Sequence, residues 1–296
     1  MSWLDTGITI TTNALGAMTP LLLAAAGGLF TELAGMLNIA LEGLMLAGAF
    51  FGFAAASAFN SIPLGMLAGA LASTAIAWAY GSVTLKLKAN VFITGLAANI
   101  FASGITAVLS ARWFGTKSVI ALDIPNPVQP FAPLLGRIPV LGKLLFSHHS
   151  LVYVSWIVAI LAALLVYRSV LGLRIRATGT RAEAVSSAGF SPDTYRLVAV
   201  MISGALCGLA GASLSLPLGA YVPNMSSGRG WIALVAIYLG NKKPSRTALA
   251  CFIFALAESF SNYAQGQFRI PSEFILAIPY AATLIALSLG TAAKQE

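Results

Sequence analysis

The chain has 296 residues, of which 58% are hydrophobic and 9% charged, and its 17 Lys and Arg against 9 Asp and Glu give a formal charge of +8. A soluble domain carries about 25% charged residues, so this composition excludes a soluble globule. The positive charge lies in loops, with no tract of clustered Lys/Arg and interleaved aromatics. It therefore sets orientation in a bilayer and excludes nucleic acid as a partner.

The opening MSWLDTGITITT lacks the basic region of a signal peptide, so the first apolar segment is expected to stay in the mature protein. Apolar segments follow at about 8–30, 36–59, 62–85, 91–110, 151–168, 195–216, 229–240, 247–263 and 272–290. Most match the length that crosses a ~30 Å hydrocarbon core. The predicted fold is an all-α polytopic helical membrane protein of about 8–10 transmembrane helices, in one domain over residues 1–296. The segment at 229–240 is short for a span and the one at 36–59 carries Asn38 and Glu42, so either is a candidate broken or re-entrant element.

Two loops are longer than a turn. The one at about 111–150 holds Pro125, Pro127, Pro130, Pro133 and Pro139, which remove backbone donors and predict an extended, partly interfacial cap. With the loops near 86–90, 168–195 and 241–246 and the C-terminus in the cytoplasm, eleven basic residues lie inside and six outside. That arrangement fits the positive-inside rule and places the N-terminus outside. Gly48 and Gly52, Gly65 and Gly69, and Gly204 and Gly208 with Ala212 are small residues at helical spacing. They suit bundle packing first, and a homodimer seam or a gate second.

Several chemistries are absent. His148 and His149 lie together in the outer loop, Asp5, Asp123 and Asp193 lie outside the apolar runs, and no HExxH or Cys–His cluster occurs. Cys207 and Cys251 fall in apolar runs and read as buried small residues. The closest approach to a phosphate-binding loop, Gly115-Thr116-Lys117-Ser118, lacks the required order. The carboxylates Glu42 and Glu258 remain in apolar surroundings, joined by Asn38, Asn99 and Asn262. Asn38 and Glu42 are four residues apart, the spacing of one helical face, and Glu258 and Asn262 repeat it. Such groups face a solute path or satisfy neighbouring helices.

The loop at about 169–195 is the most informative. Thr180 is placed to cap a short helix reaching about Ala188, with Glu183 three residues on as in a capping box, and Gly189 as its stop. Ala182, Val185, Ser186 and Gly189 form a small-residue face, while Arg181 and Glu183 stay solvated. Residues 173–212, LRIRATGTRAEAVSSAGFSPDTYRLVAVMISGALCGLAGA, resemble the coupling segment of ABC importer permeases of the branched-chain amino acid, simple-sugar and nucleoside group. TPLLLAAAGGLFTELAGMLNIALEGLMLAGAFFG at 19–52 and GRGWIALVAIYLG at 228–240 resemble two further signatures of that group, in the same order. The run from Glu32 to Gly43 and the string GRIPVLGKLLF at 136–146 are most similar to the nucleoside branch. The chain departs from the family after Gly179, where Thr180 and Arg181 stand in place of an acidic and an amide residue.

The resemblance implies a permease of an ATP-driven importer in a bacterial inner membrane, working by alternating access. It implies ATPase subunits that bind ATP and Mg, a second permease subunit and an extracytoplasmic solute-binding protein as partners, and no cofactor or metal on this chain. It assigns ATPase coupling to Gly179, Thr180, Ala182, Glu183, Ala184, Ser187, Ala188 and Gly189. Asn38, Glu42 and Asn99 are the candidate translocation path. The alternatives are a ribose-like sugar permease, a secondary transporter using Glu42 or Glu258 as a proton carrier, and, least of all, an intramembrane enzyme.

Overall fold

The computed structural model describes residues 3–125, 127–130 and 140–267. Eleven helices lie among them: α1 (Trp3–Leu33), α2 (Leu41–Phe59), α3 (Ile62–Lys86), α4 (Val91–Phe114), α5 (Leu141–Phe146), α6 (Ser150–Arg168), α7 (Val170–Thr180), α8 (Ala182–Ser187), α9 (Pro192–Leu218), α10 (Arg229–Leu239) and α11 (Pro244–Gln267). Local chemistry sets the ends. The Asn90 side chain accepts from the Phe92 and Ile93 amides to cap α4, which stops at Gly115 in the left-handed region. Ser169 adopts an extended backbone between α6 and α7 and accepts from the Gly172 amide, so the chain turns from a span into a separate helix within one residue.

Six helices are long and apolar enough to cross a membrane: α1, α2, α3, α4, α6 and α9. The expected 8–10 spans are reached only by adding the eleven-residue α10, the more polar α11 and the segment at 272–290. That last segment lies outside the described residues, as do Arg269, Lys294 and the C-terminus. The spans divide by burial. Two thirds of the apolar stretch of α1 and of α2 and 61% of that of α9 are buried, against 22% for α3 and 17% for α4. The first three form the centre, while α4 turns Phe92, Ile93, Leu96, Ile100 and Val108 outward, an apolar exterior suited to lipid.

The glycine pairs build the centre. A Cβ on Gly69 would stand 2.6 Å from the Gly48 carbonyl oxygen, one on Gly208 2.7 Å from Ala70 Cα, and one on Gly65 2.7 Å from the Gly52 carbonyl oxygen. These residues join α2, α3 and α9 within one chain, so they serve bundle packing.

The outer loop differs from a simple extended cap. α4 runs on to Phe114, and β1 (Ile120–Ala121) pairs antiparallel with β2 (Ala220–Tyr221), Ile120 opposite Tyr221. α5 follows, with residues 131–139 outside the described set. This short ribbon fixes one end of the bundle, and α7 and α8 fix the other. His148 in this loop is buried: its Nε2 lies 2.9 Å from the Leu144 carbonyl oxygen, and burial pushes the imidazole below its ordinary pKa.

Candidate functional site

The apolar segment at 36–59 is not one helix. α1 ends at Leu33, Gly35 turns with φ of +75°, and α2 begins only at Leu41. Asn38 therefore lies in the break and not on a helical face shared with Glu42. A helix that starts inside a bundle leaves its first amides without intrahelical acceptors, and two asparagines supply them. Asn38 Oδ1 accepts from the Ala40 amide at 3.0 Å, and its Nδ2 donates to Ser203 Oγ on α9 at 3.0 Å. Asn99 Oδ1, from α4, accepts from the Gly43 amide at 2.8 Å, and its Nδ2 donates to the Ile39 carbonyl at 3.0 Å. Asn38 is fully buried, with both polar atoms of its amide engaged by the protein.

The second break faces the first. After β2 the chain turns through residues 222–228, and α10 begins at Arg229. Glu42, in the first turn of α2, accepts from the Gly228 amide at 2.7 Å and the Gly230 amide at 2.8 Å. Its carboxylate thus caps α10, where the helix dipole and free N–H groups favour an anion. Gly230 is required by this approach: a Cβ there would lie 2.5 Å from the Glu42 amide nitrogen. Two helix N-termini, those of α2 and α10, meet around one carboxylate at the depth of Ser203, near the middle of α9.

The other charges extend this arrangement. Arg229 is not a simple outer-loop cation. It pairs with Glu258 of α11 and donates to the Met225 carbonyl. Asn262 is exposed and does not join Glu258 there. At the far end of α10, Tyr238 donates to Glu32 Oε1 and Lys242 Nζ lies 2.9 Å from Glu32 Oε2. Glu32 is buried in the last turn of α1. Sequence reasoning passed over Glu32 as a site, treated Arg229 and Lys242 only as orienting charges, and left Ser203 unremarked. The signal available was an ionisable Glu32 inside an apolar run.

The loop between α6 and α9 is more structured than expected. Thr180 ends α7, its hydroxyl donating to the Arg176 and Ala177 carbonyls, so it does not cap α8. The capping box is not formed: α8 starts at Ala182 after Arg181 and has no side-chain cap. Glycine at 189 with φ of +82° does terminate it, the Gly189 and Phe190 amides returning to the Ser186 and Val185 carbonyls. The small-residue face also differs, because Val185 turns inward and is buried. Glu183, Ala184, Ser187 and Ala188 point out with Gly189, and Ala182 is half-buried. Arg174 holds the loop together: it lies 3.9 Å over the Phe190 ring and donates to the Tyr195 hydroxyl at 2.8 Å. Gly179 packs directly on the first break, where a Cβ would stand 2.8 Å from the Gly35 amide nitrogen and closer still to the Leu33 carbonyl oxygen. Among the described residues, no group of three His, Cys, Asp or Glu is placed to hold a metal ion.

A helical bundle with exposed apolar spans, in which two helices begin at a buried polar cluster, is a multi-pass membrane protein. Residues 10–287 match the family described as the permease component of branched-chain amino acid transport systems, and the chain belongs to that ABC permease family. It is 31% identical to the nucleoside ABC transporter permease protein NupC of Lactococcus lactis, over 95% of this chain and 91% of that protein. It is 34% identical to the guanosine ABC transporter permease protein NupQ of Bacillus subtilis, over 91% and 88%. A putative glucose ABC transporter permease protein, TsgC13 of Haloferax volcanii, is 32% identical over 84% and 75%. No solved structure matches the chain.

Proposed function

We propose that this chain is the membrane-spanning subunit of an ATP-driven nucleoside importer in a bacterial cytoplasmic membrane, with its N-terminus outside and its C-terminus inside. The observation that carries the substrate is its similarity, over nearly the full length of each, to a nucleoside and a guanosine permease. Its partners are ATPase subunits that hold ATP and Mg, a second permease subunit, and an external solute-binding protein. The chain itself performs no chemistry on the solute and needs no cofactor.

The coupling surface is the outward face of α8, with Gly179, Thr180 and Ala182 at its approach and Glu183, Ala184, Ser187, Ala188 and Gly189 presented outward. Motion of α7 and α8 bears on Gly35 through Gly179, and Gly35 leads straight into the break that holds Asn38, just ahead of Glu42. Asn38, Glu42 and Asn99 frame the translocation path by holding the N-terminal ends of α2 and α10 in place. Glu42 is occupied by two backbone donors and Glu258 by Arg229, which disfavours either as a free proton carrier. The likeness to a putative glucose permease supports a sugar as the second reading. Uptake of labelled guanosine, uridine and ribose in cells with and without the gene separates the two. Loss of guanosine and uridine uptake on deletion is expected, whereas loss of ribose uptake alone transfers the same mechanism to a sugar.

A further inference from the structure

A furrow of about 770 Å³ runs along the outside of the bundle, away from the polar cluster. Its floor is residues 15–30 of α1, about 22 Å of helix at 1.5 Å per residue, and its wall is residues 156–168 of α6. Leu22, Ala26, Ile160 and Ala163 make most of it apolar. At the end nearer α7 the character changes. Arg168 closes α6 there, and Lys243, Ser245 and Thr247 enter from the start of α11.

Two features of that end call for an anion. Arg168 and Lys243 form no ion pair among the described residues, and no Asp or Glu is among the described lining of the furrow. α11 is a 24-residue helix that starts here at Pro244, and with the Thr247 amide bonded to the Lys243 carbonyl, the Ser245 and Arg246 amides are left without an intrahelical acceptor. An apolar slot longer than one ~15 Å leaflet core, ending in two free cations, has the outline of a phospholipid and not of a polar solute.

We propose that this furrow binds an anionic phospholipid, with an acyl chain along α1 and α6 and the phosphate on Arg168 and Lys243 at the N-terminus of α11. A choline headgroup would add a cation where no carboxylate among the described lining awaits it, so a glycerol-type headgroup is preferred. Native mass spectrometry of the full-length protein in mild detergent, titrated with phosphatidylglycerol or phosphatidylcholine, tests this. Phosphatidylglycerol is expected to be retained at least about tenfold better, from two basic contacts, and raising salt on the unmodified protein is expected to erode that preference. Arg168→Gln with Lys243→Gln is expected to bring phosphatidylglycerol down to the phosphatidylcholine level. Ala163→Trp, which narrows the slot without touching a charge, is expected to reduce retention of both. Equal retention of the two lipids by the unmodified protein overturns the proposal, as does undiminished phosphatidylglycerol retention in the double variant. A photo-crosslinker at position 163 that captures residues 268–296 of the same chain in place of lipid also overturns it.

Discussion

Glu42 is the residue on which the two breaks depend, because it belongs to α2 and caps α10. Removing one partner of a buried hydrogen bond costs about 1–3 kcal/mol, more when the partner is charged. Glu42→Ala is therefore expected to lower stability by about that amount, read as a lower unfolding midpoint in detergent, and Glu42→Gln, which keeps one acceptor, to lose less. Equal midpoints for all three proteins would remove the cap. Gly179 offers a second test. Its Cα touches the Gly35 turn, so Gly179→Ala inserts a methyl against backbone at about 1–3 kcal/mol of strain. We expect ATPase activity of the assembled transporter to persist while solute uptake falls about tenfold or more; parallel loss of both would make the contact merely structural. Glu42, Asn38 and Asn99 were legible in the sequence because polar residues in apolar runs are conspicuous. Their partners were not. Nothing in the order of residues says that Asn99 reaches the Gly43 amide or that Asn38 reaches Ser203, since those bonds join segments far apart in sequence.

α10 behaves as a strut among the elements. Glu42 holds its start, Glu32 takes Tyr238 and Lys242 at its end, and Arg229 ties it to α11 through Glu258. A helix of eleven residues is marginal alone, so these anchors and its packing keep it in place. A double-mutant cycle on Glu32 and Lys242 is expected to give about 1–2 kcal/mol of coupling, less than a fully buried pair because Lys242 is partly exposed; coupling near zero would release that end of the strut. The shortness of this segment was readable from its length. The late start of α2 was not, because MLNIALEG carries no proline, and its break rests on Asn38's bond to the Ala40 amide together with the tertiary bonds to Ser203 and Asn99. α8 shows the opposite case. Gly189 marked its end correctly, whereas Thr180 suggested a cap that the extension of α7 takes away. Ala184 points outward from α8, so Ala184→Arg is expected to abolish uptake with membrane levels unchanged. Full uptake by that variant would remove the docking role.

Across the whole molecule, α1, α2 and α9 form a closely packed centre in which glycines bring backbones together. Such interfaces shift between discrete packings more readily than they deform. One end of this centre carries the α7–α8 loop, and α2 and α10 begin beside each other at the buried polar cluster. Gly179 touches the Leu33–Gly35 turn that leads into α2, and Glu32 just before that turn holds the end of α10. The most direct measurement of the central claim is gene-dependent uptake of labelled guanosine after ATP depletion with the proton gradient maintained, and after collapse of the gradient with ATP maintained. An ATP-driven permease predicts that uptake stops in the first condition and continues in the second. Uptake that survives ATP depletion and stops with the gradient would contradict it and make the chain a secondary transporter.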